Sequence, residues 1–340
     1  MRTLVDDIGS FPLPQQVDRK SFSKVYQLAR ESIIQGKDIT KDDFLNTNFV
    51  KVVLNSFRKK IISGVDVVNF PQHYDGMKQI GEVIHVAMEA GSFLVEEKNA
   101  ILPEVYLINQ QAKVLSEEFG KKILLRVSIF GPLEQYLLEI GKTPYEDVLD
   151  ALADTIRRFA KNSIFNTKYI ETKVVSIDEP SFGLNNIQAT PDVICRVLEK
   201  AYDFQGATRQ IHLHSTAGVY DLLSVKNLDV LSFEYAASPS NIDAVPKSML
   251  EQADKQIRVG VSRTDIDAIL AELYEQGIAR PSIEQLVESE DIIRKRFKFA
   301  KEKYGERMTF TGPDCGLGGW PSQDAAALLL QRTVNAVRKV

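Results

Sequence analysis

KVVSIDE, residues 173–179, is a short run of β-branched and apolar residues that ends in two acidic side chains. Runs of this kind, bounded by turn residues, are typical of strands that are buried on both faces of a parallel sheet. Similar runs recur along the chain: TLVDDIG (3–9), GVDVVNF (64–70), ILLRVSIF (123–130), RQIHLHS (209–215), VLSFEYA (230–236), IRVGVS (257–262) and RMTFTG (307–312). The sequence therefore predicts eight strands.

Helical patterns lie between most of these runs. The clearest cover 42–63, 105–120, 145–165, 190–204, 282–305 and 322–340. Strands that alternate with helices build a parallel sheet covered on both faces, and eight repeats favour closure into a barrel, whereas a doubly wound sheet needs fewer strands. We therefore predict an α/β fold, a single (β/α)8 TIM barrel over residues 1–340 with insertions. Residues from about 70 to 104 are expected to form an excursion over the barrel mouth.

The composition is that of an ordinary globular chain, with 340 residues, 44% hydrophobic and 26% charged residues and a formal net charge of −4. Basic and acidic residues are interleaved and form no basic stripe, which argues against a nucleic-acid partner. The N-terminal stretch contains Asp6 and Asp7 and has no signal-peptide core, and no run of about 18 apolar residues occurs. We expect a cytoplasmic protein that has no membrane partner.

Four side chains that can bind a metal ion follow the ends of predicted strands: His212, His214, Glu234 and Cys315. Side chains alternate along a strand, so the two histidines project from the same face. Zinc takes nitrogen, oxygen and sulfur ligands in a tetrahedron, which this set can supply. A His-x-His pair taken alone is more often hydrogen-bonded than metal-bound, but Cys315 lies in a turn where packing gives no reason for a thiol. The other cysteine, Cys195, is interpreted as a buried core thiol.

Five short motifs occur in one order along the chain: DIGSFP (7–12), IDEP (177–180), HLHS (212–215), FE (233–234) and PDCGL (313–317). In this combination the chain resembles, over most of its length, the C-terminal catalytic barrel of the cobalamin-independent methionine synthase family, which also exists as a stand-alone core form. The resemblance implies a methyltransferase of methionine biosynthesis that transfers a methyl group to the thiol of homocysteine. It also implies a zinc cofactor, which favours the thiolate form of a bound sulfur.

The resemblance further implies roles for individual residues. The zinc ligands match His212, His214, Glu234 and Cys315, and the site for the amino-acid end of homocysteine matches Ile8, Gly9, Ser10 and Asp178. Taken alone, Asp178 would belong to an acidic turn and Ser10 would cap a bend. Asp265 lies near the place of the family's catalytic histidine and is the candidate catalytic acid, with Asp267 as the other acid within reach.

Three features depart from the family pattern. The second zinc ligand of the family is usually cysteine, so His214 changes the summed charge of the protein ligands from −3 to −2. The family has a carboxylate after the second strand that contacts the substrate amine, but residues 69–72 read NFPQ. The family's tryptophan near the folate site is also missing. The only tryptophan, Trp320, is interpreted as a packing or mouth-lining residue.

Several alternatives stay open. The methyl donor is methylcobalamin or a corrinoid protein, which the missing tryptophan favours, or else a methyl-folate. The acceptor is homocysteine or another small thiol such as coenzyme M, which the missing carboxylate favours. A third alternative is a catalytically relict barrel that binds only a metal or an amino acid. His73 is expected at the barrel mouth or on the surface, and His85, in an apolar context, is expected to be packed and hydrogen-bonded.

Overall fold

The computed structural model describes residues 2–340, and its strands form one parallel sheet in the order β1-β8-β7-β6-β5-β4-β3-β2. The strands are β1 (Leu4–Val5), β2 (Val68–Asn69), β3 (Ile123–Phe130), β4 (Ile170–Asp178), β5 (Thr208–Leu213), β6 (Val230–Phe233), β7 (Gln256–Ser262) and β8 (Met308–Pro313). A parallel bridge between Asp6 and Val67 joins the two outermost strands. The predicted α/β TIM-barrel fold, with its eight strands, is confirmed.

Helices follow the strands and cover the outside of the sheet. They are α1 (Arg19–Ile34), α2 (Asp43–Leu45), α3 (Lys51–Ile62), α4 (Gly76–Glu89), α5 (Pro103–Gln110), α6 (Ala112–Phe119), α7 (Pro132–Glu139), α8 (Glu146–Asn162), α9 (Pro191–Ala201), α10 (Val219–Leu222), α11 (Lys247–Gln252), α12 (Ile266–Glu275), α13 (Ile283–Leu286), α14 (Glu290–Tyr304) and α15 (Gln323–Arg338). A π-helical turn (Asn46–Val50) joins α2 to α3, and shorter 3₁₀ turns cover Glu97–Asn99, Pro239–Ile242 and Gly305–Arg307. No helix within residues 2–340 is both long and apolar enough to cross a membrane.

Two of the predicted helices are divided in the structure. The pattern over 282–305 separates into α13 and α14, because Val287 is extended and the side chain of Ser289 accepts a hydrogen bond from the Ile292 amide as the cap of a new helix. The pattern over 105–120 is interrupted at Gln111, where α5, packed on α1, gives way to α6, packed on β3. Apolar periodicity alone does not detect such breaks.

A buried ionic network crosses the interior of the barrel. Asp6, next to β1, accepts hydrogen bonds from Arg126 Nη1 of β3 at 2.8 Å and from Arg258 Nε of β7 at 2.6 Å, and all three side chains are fully buried. The following residue, Asp7, forms a buried ion pair with Lys60 of α3 and accepts a hydrogen bond from the Asn69 amide. These contacts hold the end of β1, from which Ile8, Gly9 and Ser10 follow.

Candidate metal centre

The four predicted ligands lie together at the carboxyl ends of three strands. His212 is on β5, His214 follows that strand directly, Glu234 follows β6, and Cys315 follows β8 by two residues. One ligand atom of each residue lies within 4.8 Å of every other. His214 Nε2 is 3.6 Å from Cys315 Sγ and 3.6 Å from Glu234 Oε1. We call these four residues the ligand cluster.

The ligand cluster fits a tetrahedral metal ion. Bonds of about 2.0–2.3 Å to a tetrahedral zinc would separate the ligand atoms by about 3.3–3.6 Å, which matches the two separations of 3.6 Å. His212 Nε2 is buried without a hydrogen-bond partner among the described residues, while its Nδ1 lies 3.3 Å from Ser232 Oγ. A buried nitrogen without a partner costs free energy unless a ligand contacts it. The spacing, the donor types and this unpaired atom all suit a bound metal.

Burial controls the protonation of the ligand cluster. It raises the pKa of Cys315 to about 12 and the pKa of Glu234 to about 8, and nearby acidic side chains add to both shifts. It lowers the pKa of His212 and of His214, so both imidazoles are neutral at pH 7 and keep a nitrogen lone pair free. A thiol and a carboxyl group in this environment need a cation nearby to carry negative charge.

Two polar side chains hold the loop that carries Glu234. Asn241 Nδ2 donates to the carbonyl oxygens of His214 at 3.0 Å and Glu234 at 2.9 Å. Asp314 accepts hydrogen bonds from the three successive amides of residues 235–237, at 3.1, 3.0 and 2.6 Å. The Asp314 contacts therefore couple the loop after β6 to the turn that contains Cys315. Asp314 belongs to the PDCGL motif, but sequence reasoning assigned it no role.

The ligand cluster opens into a cavity of about 720 Å³, a volume within the usual range for small-molecule sites. Three of the four ligands and all the residues predicted to bind the amino-acid end of the substrate line it: Ile8, Gly9, Ser10, Asp178, His212, His214 and Cys315. Burial raises the pKa of Asp178 to about 6. The Ser10 hydroxyl accepts a hydrogen bond from the Gly318 amide at 3.1 Å, which joins the loops after β1 and β8. Gly9 has a φ of 62°, a conformation that favours glycine.

The other predicted residues have different surroundings. Asp265 accepts hydrogen bonds from Arg263 Nε at 3.0 Å and Nη2 at 2.7 Å, and it is not among the residues that line the cavity. His73 does line the cavity; it is buried, with Nε2 2.8 Å from Ser56 Oγ, so the surface alternative is wrong. Trp320 is buried and donates from Nε1 to the Thr264 carbonyl at 3.1 Å, as the packing interpretation requires.

Two interpretations of core residues need correction. His85 is hydrogen-bonded to Glu139, as expected, but its side chain is 56% exposed and is not packed, because the buried face of α4 contains other positions such as Ile80 and Ile84. Cys195 is only half-buried, and its Sγ donates to the Asp221 carbonyl at 3.1 Å at the surface of α9. In both cases the local sequence is apolar, but the side chain lies at the edge of the buried face of its helix.

Sequence reasoning also missed several polar residues around the cavity. Glu134, at the start of α7, and Arg19, at the start of α1, both line its wall. Gln72 lines it too and has a φ of 48°, which is uncommon for a residue other than glycine. Glu104 holds the loop that contains Gln72, because its carboxylate accepts a hydrogen bond from the His73 amide at 3.0 Å. Their roles depend on loop conformations that no sequence pattern indicates.

The sequence matches no protein-family model, and no curated protein matches it. Among solved structures, the chain is similar to a B12-independent methionine synthase from Shewanella sp. W3-18-1 in complex with selenomethionine, with a TM-score of 0.61 and 14% identity over 100% of this chain and 98% of that one. It is also similar to a putative vitamin-B12-independent methionine synthase from Listeria monocytogenes, with a TM-score of 0.54 and 14% identity over 99% of this chain and 98% of that one. The resemblance seen in the sequence is thus confirmed at the level of the fold: over its full length, this chain has the fold of these methionine synthase structures.

Proposed function

We propose that this protein is a zinc-dependent methyltransferase that transfers a methyl group to the thiol of homocysteine and produces methionine. One observation carries the proposal: two imidazole nitrogens, a carboxylate oxygen and a sulfur lie within 4.8 Å of one another at the rim of the barrel. This donor set is one that zinc accepts without an unusual ligand. The shared fold with a methionine synthase structure that contains selenomethionine supports the same substrate class.

In this proposal the ligand cluster holds the zinc, which when bound would keep a substrate sulfur in its nucleophilic thiolate form. The rest of the substrate extends into the cavity. The Asp178 carboxylate binds the ammonium group, while the backbone at Ile8 and Gly9 and the Ser10 hydroxyl bind the carboxylate. Asp178 is 7% exposed, and its low exposure to water strengthens its contact with an ammonium group.

The experiment that tests this function compares methyl donors on the same protein preparation. Methionine formation from homocysteine is measured with methylcobalamin and with methyl-folate, and zinc is measured as metal per chain. We expect about one zinc per chain and a higher rate with the corrinoid donor, because Tyr136 is the only aromatic residue in the helix after Gly131 and Pro132, where the family has its tryptophan. A protein that holds no zinc and forms no methionine with either donor would contradict the proposal.

A second acceptor, coenzyme M, is favoured by the charges on the cavity wall. Gln72 is neutral at the place where the family has its amine-binding carboxylate. Arg19, an exposed residue, also lines the cavity, and no ion pair joins it to another residue in the described part of the chain. These two features would suit an acceptor that has an anionic group and no amine. Competition between homocysteine and coenzyme M for methyl transfer distinguishes the two acceptors.

A further inference from the structure

We propose that Glu134 is a second carboxylate that binds the ammonium group of the substrate, in place of the one missing from residues 69–72. The inference rests on the proposed function, because it concerns the amino-acid end of the same substrate. Neither the zinc ligands nor the residues that match the family pattern include Glu134, which enters only through its position in the structure.

The start of α7 brings Glu134 to the same cavity as Asp178. Phe130, the last residue of β3, is the register partner of Asp178 at the end of β4. The helix begins two residues after Phe130, and Glu134 lies in its first turn. Glu134 and Asp178 both line the cavity. Two neighbouring strand ends therefore contribute one acidic residue each to the same cavity.

Reciprocal hydrogen bonds fix the Glu134 side chain. The carboxylate of Glu179 accepts from the amides of Leu133 at 3.0 Å and Glu134 at 2.7 Å, while Glu134 Oε2 accepts from the Ser181 amide at 3.1 Å. A Cβ atom at Gly131 would lie 2.0 Å from Glu179 Oε1, so only glycine fits at this close approach. The carboxylate of Glu134 is thus held against the turn that follows Asp178.

The free oxygen of Glu134 is suited to a cationic ligand. The residue is 4% exposed, and among residues 2–340 no hydrogen bond or ion pair reaches its Oε1. Asp178 is 7% exposed and accepts a hydrogen bond from Ser176 Oγ at 2.5 Å. The guanidinium of Arg126 is near enough to offset part of the charge of Asp178, whereas no ion pair joins Glu134 to a cation among residues 2–340. An ammonium group, which has three N–H donors, can bond to both carboxylates at once. A ligand that lacks the amino group would leave the buried carboxylate of Glu134 without a cation.

The test is a comparison of two ligands that differ only in the amino group: L-methionine and methylthiobutanoate. Both contain a thioether, which is a poor zinc ligand, so their binding reports on the cavity and not on the metal. In calorimetry on the full-length protein we expect Glu134→Gln to weaken methionine binding about 10- to 100-fold, the loss typical of a charge-assisted hydrogen bond. Binding of methylthiobutanoate should change by less than about threefold.

The matched control is Glu139→Gln, which makes the same change on the same helix outside the cavity and should leave both affinities unchanged. The midpoint of thermal unfolding and the zinc content show whether each variant is intact. If Glu134→Gln is not folded, Glu134→Asp replaces it, because that change keeps the charge but withdraws it from the cavity. A loss confined to methionine supports the inference in either variant.

Two results for Glu134→Gln would overturn the inference: an equal loss of affinity for both ligands, or no loss of affinity for either. A wild-type protein that binds both ligands equally would also overturn it, but would leave zinc binding and methyl transfer to a thiol intact. Conversely, absence of zinc and of methyl transfer, together with a preference for methionine that Glu134→Gln abolishes, would refute the proposed function and support the ammonium site. Each of the two proposals can therefore be refuted without refuting the other.

Discussion

Replacing Cys315 by serine tests the ligand cluster at its only sulfur. The thiol lies 3.6 Å from His214 Nε2, as expected for two ligands of one ion. A serine hydroxyl stays neutral at pH 7 and is a poor zinc ligand, and its shorter bond withdraws the oxygen from the site. The change therefore removes one ligand of four and leaves the other three in place.

The expected loss of zinc affinity follows from the binding free energy of a complete zinc site. Zinc sites with four protein ligands have apparent binding free energies of about 10–16 kcal/mol, so an equal share for each ligand is about 3 kcal/mol. Loss of that share weakens zinc binding about 100-fold. Zinc affinity is measured at pH 7 by competition with a chromophoric chelator. The zinc content alone would not show the difference, because the wild-type protein and the variant can both be fully loaded while their affinities differ.

The chain supplies its own control for this substitution. Cys195 is the only other cysteine and lies on α9, outside the cavity, so Cys195→Ser should leave zinc affinity within about threefold of the wild-type value. Equal zinc affinities for the wild-type protein and Cys315→Ser would remove Cys315 from the site and refute the tetrahedral set.

Three further predictions concern the ligand charge, the barrel interior and pH. His214→Cys changes the summed ligand charge from −2 to −3, the value usual in cobalamin-independent methionine synthases, so under the proposed function we expect zinc to bind and methyl transfer to be faster; a metal-free variant would mean that the site needs imidazole here. Asp6→Asn leaves Arg126 and Arg258 buried without their shared carboxylate and should lower the free energy of unfolding in urea by about 3–5 kcal/mol; a loss below about 1 kcal/mol would be inconsistent with the ionic network. Burial raises the pKa of Glu104 from 4.5 to about 7, so the folded protein binds this proton more tightly than the unfolded chain. The free energy of unfolding should therefore fall by up to about 3 kcal/mol as the pH rises from about 4.5 to about 7, and Glu104→Gln should remove this pH dependence. If urea unfolding shows the same pH dependence for the wild-type protein and for Glu104→Gln, Glu104 is not its cause.

The strands of this fold are predictable because parallel strands buried on both faces leave continuous apolar runs. The run at 123–130 coincides with β3, and the run at 209–215 covers all of β5 except its first residue, Thr208. Helix ends depend on local caps, so Ser289 divides a periodic pattern that looks continuous. The inward-facing Arg126 interrupts an apolar run and is visible in the sequence, but its partner Asp6 is 120 residues away and is determined by strand register.

The ligand cluster is predictable for a related reason. Closure of a parallel barrel brings the carboxyl ends of all strands to one rim, so ligand-type residues just after several strands become neighbours. The residues that support the cluster are not predictable in this way. Asn241 and Glu134 reach the site through turns and helix starts whose conformations depend on contacts between loops, and neither has a residue type or spacing that marks it.

X-ray absorption at the zinc edge, on protein purified without added metal, tests the ligand cluster most directly. We expect one zinc per chain with two nitrogen, one oxygen and one sulfur neighbour at about 2.0–2.3 Å, and loss of the sulfur neighbour in Cys315→Ser. A protein without zinc, or a zinc coordination shell that contains no sulfur, would contradict the assignment of His212, His214, Glu234 and Cys315 as a single metal site.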